Sequence, residues 1–187
     1  VIKPSENAPA TSALIAKTLP KYFPPEIVTV CEGDETIASQ LVSLPFDHIF
    51  FTGSVNIGKK IMKAASENLT PITLELGGQS PALVIDKADI SITAKRLIWG
   101  KGLNSGQTCI APNHLLVQED LLPSLLDEMK KTLQNFYGLE PLDSPHLASI
   151  INKHHFKRLE KLLQKAIEKN QVLYGGKLDA NKNLITP

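Results

Sequence analysis

Short runs rich in β-branched and aromatic residues alternate with helical periodicity through residues 1–77, and this alternation narrows the fold more than any other feature. The runs are "EIVTVC" (26–31), "DHIFFTG" (47–53) and "PITLEL" (71–76). Between them, "GDETIASQLVSL" closes at Pro45, and "VNIGKKIMKAASEN" (55–68) sets Ile57, Ile61, Met62 and Ala65 on one face. Both segments are expected helices. Ahead of them, "TSALIAKTLPKY" reads as a helix capped by Thr11 or Ser12 and ending near Pro20. Strand, helix, strand, helix, strand at this spacing is the pattern of βαβ units. Their crossovers are right-handed, so the expected fold class is α/β with a doubly wound parallel sheet. Residues 1–77 therefore read as part of a nucleotide-binding type of domain.

After the double glycine Gly77-Gly78 the chain changes character. "PALVID" (81–86) is an expected strand, and "DISITAKRLIWGKGL" (89–103) a helix with Asp89 near its positive end. "HLLVQ" (114–118) is another strand, and a helix from about Leu121 to Tyr137 stops at Gly138. "KHHFKRLEKLLQKAIEKN" (153–170) is amphipathic, with Phe156, Leu159, Leu162, Leu163 and Ile167 expected inward. "QVLYGGK" and "NLITP" read as further strand material, and no internal repeat or low-complexity linker interrupts the chain.

Composition excludes several function classes. Of 187 residues, 42% are apolar and 21% charged, with a formal net charge of +1. Such a globular composition carries no charge excess aimed at nucleic acid or a membrane surface. Neither a long apolar run nor a basic-then-apolar leader is present, so no membrane contact is expected, and the expected location is cytoplasmic. The chain starts at Val1 and stops at Thr186-Pro187, so it reads as a piece of a longer one and a targeting segment would lie outside it. Two cysteines, Cys31 and Cys109, make no disulfide framework and suit a reducing compartment. His48, His114, His146, His154 and His155 show no metal-ligand spacing, so no metal is expected.

Four stretches carry candidate chemistry. In "IFFTGSVNIGKK", Gly53 allows a tight turn and Ser54 can cap the helix that follows. The free N–H groups of that first turn suit a pyrophosphate, although the spacing is not G-x-G-x-x-G and a plain strand-to-helix turn stays open. In "IKPSEN", Lys3 and Glu6 can bracket ribose hydroxyls or stand as two solvated charges. "TLELGG" sets Glu75 inside an apolar strand, where partial burial would suit a general base and a structural ion pair would serve equally well. "SGQTCIAPN" holds Cys109 in a loop made supple by Gly102 and Gly106, as a nucleophile or a buried structural thiol. Cys31 ends an apolar run and reads as a core residue.

Taken in order, "KPSE", "FTGS", "LELGG" and "GQTC" resemble the motifs of the aldehyde dehydrogenase superfamily. "PITLELGGQSP" and "NSGQTCIAPN" look closest to its class 3 branch. The resemblance implies a Rossmann-like parallel-sheet portion joined to an α/β catalytic domain. Residues 1–77 would be the C-terminal part of the NAD(P)-binding domain, and residues 78–187 the N-terminal part of the catalytic domain.

Carried over by position, Cys109 resembles the nucleophile that forms a thiohemiacetal and then a thioester, and Glu75 the base that activates water to hydrolyse it. Lys3 and Glu6 match the adenine-ribose contacts. Gly53, Ser54, Val55, Asn56, Ile57 and Gly58 match the pyrophosphate turn, and Leu76 and Gly77 the nicotinamide lining. The implied cofactor is NAD, because Glu6 suits a free 2′-hydroxyl and repels a 2′-phosphate, although the class 3 branch often accepts NADP as well. The implied substrate is a small-molecule aldehyde, and the implied assembly of the parent a homodimer.

The family's oxyanion asparagine would precede "KPSE", and its Glu-x-Phe-Gly-Pro motif would follow Pro187. Asn113 stands where the branch often has aspartate. Relatives that pass the acyl group to CoA generally lack the base glutamate, so Glu75 favours hydrolysis over a CoA-acylating reading. An inactive excised domain is the remaining alternative.

Overall fold

The computed structural model describes residues 1–187, which divide into two compact units, Val1–Gly77 and Gly78–Pro187. The first unit runs α1 (Pro9–Thr18), α2 (Glu35–Val42), β1 (Ile49–Thr52), α3 (Val55–Ser66) and β2 (Ile72–Glu75). β1 and β2 pair in parallel with Ile49 opposite Ile72 and Thr52 opposite Glu75. The alternation read in the sequence thus yields a β1–α3–β2 unit.

Local rules account for the helix ends, with one correction. Asp34 caps α2 by accepting from the Thr36 N–H at 2.9 Å, and Ser54 caps α3 by accepting from the Ile57 N–H at 3.3 Å. Neither Thr11 nor Ser12 caps α1, which begins at Pro9 because proline is pre-set for the first helical position. Ser12 instead lies inside the helix, buried, and its hydroxyl donates to the Ser5 carbonyl at 2.7 Å.

The run 26–31 does not become a strand. It turns after Pro24-Pro25 and leaves a single parallel bridge, Ile2 to Val30, with the Cys31 N–H donating to the Ile2 carbonyl at 2.9 Å. Cys31 is therefore half-buried rather than a core residue. On α3 the inward face is Gly58, Ile61 and Ala65, while Ile57 and Met62 are exposed. A spacing of three and four residues selects a face, but two adjacent stripes satisfied it.

The second unit begins with β3 (Pro81–Val84), α4 (Ile90–Gly102) and β4 (His114–Val117), the strands again parallel with Leu83 opposite Leu116. α5 (Leu122–Tyr137) and α6 (Lys153–Glu168) follow, then a two-residue antiparallel pair, β5 (Leu178–Asp179) and β6 (Leu184–Ile185). "QVLYGGK" forms no strand, because Gly175 and Gly176 both adopt positive φ and turn the chain. Val84, Ala94, Leu97 and Leu125 form one core cluster, and Ile98, Leu133, Tyr137, Leu147 and Leu184 a second. α6 buries Phe156 and half-buries Leu159 and Leu163, while Leu162 and Ile167 are exposed.

The parallel pairs are not covered on both sides. Ala82, Val84, Leu115 and Val117 pack inward, yet Leu83 opposite them is 67% exposed, and Phe50 in β1 is 66% exposed. Within these residues the parallel pairs therefore lack the cover on both faces that parallel sheets ordinarily have. No helix is long and apolar enough to cross a membrane.

Candidate functional site

In the first unit the chain leaves β1 at Thr52, turns through Gly53, and enters α3 under the Ser54 cap. The Gly53 N–H donates to the Glu75 carbonyl at 2.9 Å, so the turn is tied to the end of β2. Because Ser54 Oγ takes the Ile57 N–H, the N–H groups of Val55 and Asn56 at the same helix start have no carbonyl behind them in the helix. They are exposed, together with Gly53, Ser54 and Ile57.

Gly58, one turn in, is buried, and a Cβ there would meet Leu76 Cδ2 at 2.9 Å. This is the packing role of a glycine that lets a helix sit close on its strand. Exposed amide donors beside such a close helix–strand contact fit the phosphate end of a dinucleotide. Leu76 is half-buried and Gly77 exposed, directly after β2.

Lys3 and Glu6 form an ion pair at 2.9 Å, and Lys3 Nζ also donates to the Pro4 carbonyl at 2.8 Å. The Ile2–Val30 bridge holds this turn in place. The backbone N–H of Glu6, followed by the Lys3 ammonium, keeps the Glu6 carboxyl below the usual carboxylate range. The result is an exposed anion with its countercharge attached, which suits vicinal hydroxyls. Glu75, expected to be partly buried, is exposed at the last position of β2. It makes no ion pair there, so its candidacy as a base rests on its place at a strand's carboxyl end rather than on burial.

In the second unit Cys109 is a free, exposed thiol, which removes the structural-core reading. It follows a turn with three successive positive φ angles: Asn104 at 52°, Ser105 at 53° and Gly106 at 77°. Only glycine adopts this region without cost, so Asn104 and Ser105 carry strain that surrounding bonds must offset. The Cys109 carbonyl accepts from Ser80 Oγ at 3.4 Å, and a Cβ on Gly78 would come within 3.3 Å of it. Gln107 was part of a motif in the sequence but carried no role there. In the structure its side chain bonds to Asn104, Ser149 and Ile151. No periodicity or spacing links residues 107 and 150, so only the folded chain reveals this connection.

Fold and site together define a two-unit α/β protein, with an anion-ready strand–turn–helix in one unit and an exposed thiol on a strained turn in the other. The chain belongs to the aldehyde dehydrogenase family, whose model matches residues 1–187. It is 45% identical to aldehyde dehydrogenase family 3 member H1 of Arabidopsis thaliana, over 100% of this chain and 39% of that protein. A solved structure of the substrate-bound state of Staphylococcus aureus AldH superposes with a TM-score of 0.91 at 40% identity, covering 100% of this chain and 40% of that one. PnpE in complex with nicotinamide adenine dinucleotide superposes at 0.88 with 28% identity, again over 100% and 40%. The chain thus spans about two fifths of the relatives it matches.

Proposed function

We propose that the protein carrying this chain oxidises an aldehyde to a carboxylic acid with NAD, through a covalent intermediate on Cys109. The observation that carries this reading is the free, exposed Cys109 thiol on a glycine-bearing turn in a chain of this family. Val1–Gly77 would be the C-terminal part of the NAD(P)-binding domain and Gly78–Pro187 the N-terminal part of the catalytic domain.

Cys109 Sγ, as thiolate, attacks the carbonyl carbon, and the oxygen becomes an oxyanion to which the Cys109 N–H donates. NAD, when bound, would supply the hydride acceptor needed for the thiohemiacetal on Cys109 to become a thioester. Glu75 takes a proton from water as its oxygen adds to the thioester carbon. The C–S bond then breaks, releasing the acid and returning Cys109 as the thiolate, and Glu75 gives the proton it took to solvent. Glu6 and Lys3 hold the adenine ribose, the turn Gly53 to Gly58 holds the pyrophosphate, and Leu76 and Gly77 line the nicotinamide. The Glu6 anion favours a free 2′-hydroxyl, so NAD is preferred to NADP. Unbridged cysteines suit a cytoplasmic setting, and the family resemblance supports a homodimer, which light scattering of the complete protein would check.

The test is steady-state NADH production by the complete protein over a series of aldehydes. Cys109→Ala lowers turnover by about a thousandfold or more. Glu75→Gln keeps a single burst of NADH and loses the steady rate, because the thioester forms but is not hydrolysed. Retained turnover in the cysteine variant overturns the mechanism, equal or tighter NADP binding removes the NAD preference, and acyl-CoA as sole product replaces water by CoA as the acceptor.

A further inference from the structure

We propose that Gln107 is a positioning residue for Cys109: its side-chain amide takes the place of a neighbouring strand and locks the thiol's turn to the segment 148–151. The inference rests on the reading of Cys109 as nucleophile.

The segment 148–151 belongs to no helix or sheet and bends at Ile151. It is fixed from below by Leu147 and Ile150, which are 8% and 4% exposed. On one side the Ile150 N–H donates to the Asn183 carbonyl at 2.9 Å. On the other side the Ser149 carbonyl and the Ile151 N–H point together, as the two groups flanking one residue of a strand do. Gln107 answers both: Nε2 donates to the Ser149 carbonyl at 3.1 Å, and Oε1 accepts from the Ile151 N–H at 2.9 Å. This is the donor–acceptor pair that a backbone peptide would offer, supplied by a side chain. The second Nε2 hydrogen goes to the Asn104 carbonyl at 2.9 Å, inside the left-handed turn. Ser105 Oγ adds a bond to the Ala148 carbonyl at 2.5 Å.

The amide therefore fastens both the strained turn and the core-anchored ribbon, two residues from the thiol. Covalent attack requires the sulfur within about 3–3.5 Å of the carbonyl carbon along a narrow approach, and a displacement of about 1 Å costs on the order of a hundredfold in rate. Only an amide fits this position, because a carboxylate has no hydrogen to give the Ser149 and Asn104 carbonyls, and a methionine offers nothing to any of the three.

The experiment compares Gln107→Glu and Gln107→Met with the wild type in the complete protein. Both variants lower kcat by about 10- to 100-fold. KM for aldehyde and NAD stays within about threefold, as does the rate of Cys109 alkylation by iodoacetamide, since the thiol is displaced rather than deactivated. The Glu variant regains activity relative to wild type as acidification protonates its carboxyl and restores a donor, and the Met variant does not. Unchanged kcat in the Met variant overturns the proposal, as does a parallel pH response of the two. Should both unfold, Ser105→Ala removes one bond of the same lock and lowers kcat about three- to tenfold with KM held; no change there overturns it. Hydrogen exchange at the Ile151 amide reads the lock without turnover. Faster exchange in the Met variant supports the proposal and equal exchange overturns it, even if the wild type oxidises no aldehyde and the proposed function itself fails.

Discussion

Single residues carry most of the chemistry, and Gly58 shows how magnitudes decide what a substitution does. An alanine there gains about 1 kcal/mol of helix propensity over glycine. Its Cβ, however, would sit 2.9 Å from Leu76 Cδ2, so the leucine must turn away. Leu76 is half-buried with room to move, and the two effects nearly cancel in stability. They do not cancel at the cofactor, because both the helix start and Leu76 belong to the proposed NAD site. Gly58→Ala in the complete protein should shift Tm by only a few degrees while raising KM for NAD about tenfold, measured by thermal melts and initial rates. An unchanged KM would separate the close packing from cofactor binding. At this scale the sequence exposed the candidates, since Cys109, Glu75, Lys3 and Glu6 stand in short motifs. It could not show that Glu75 is exposed or that Gln107 is fully engaged, because each depends on residues far along the chain.

Elements were the most legible level, for a local reason. Caps, glycine stops and periodicity act within a turn or two, so β1, α3, β2, β3, α4, β4, α5 and α6 fall where the pattern placed them. The misses lie where local pattern meets a competing rule. In 26–31 the β-branched run follows Pro24-Pro25 and finds no strand to pair with beyond Ile2. In 171–177 two left-handed glycines turn the backbone. The cap of α2 yields a pH prediction. The Thr36 backbone N–H, chiefly, holds the Asp34 carboxyl below its usual range. A depressed native value means that its contribution is complete above the unfolded carboxylate range and is lost as pH falls through the native one. Protection of the α2 amides, taken relative to their intrinsic exchange at each pH, should fall on acidification through that window, and Asp34→Asn should flatten this fall; a steep loss of protection persisting in the variant would assign it to another group. Tyr137 has the opposite sign. Burial raises its hydroxyl, so its contribution holds below the ordinary tyrosine range and is lost as pH climbs through the raised native value.

At the scale of the whole molecule, parallel strands ordinarily have both faces covered, and here Phe50, Leu83 and Leu116 are open to solvent. Apolar patches of this kind associate in water. The 187-residue chain expressed by itself should self-associate with rising concentration in light scattering, and a monodisperse monomer at high concentration would contradict this. The sequence by itself determined the α/β class, the order of elements and the family, since alternation, caps and short motifs are encoded within a few residues of one another. Only the tertiary structure decided which stripe of α3 faces inward, that Cys31 is no core residue, that Glu75 and Cys109 are exposed, and that a glutamine side chain ties the thiol's turn to residues 148–151. The physical reason is one of range. Hydrogen bonds within a turn follow from neighbouring residue types, whereas burial and the pairing of distant polar groups exist only once segments far apart in the chain have been brought together.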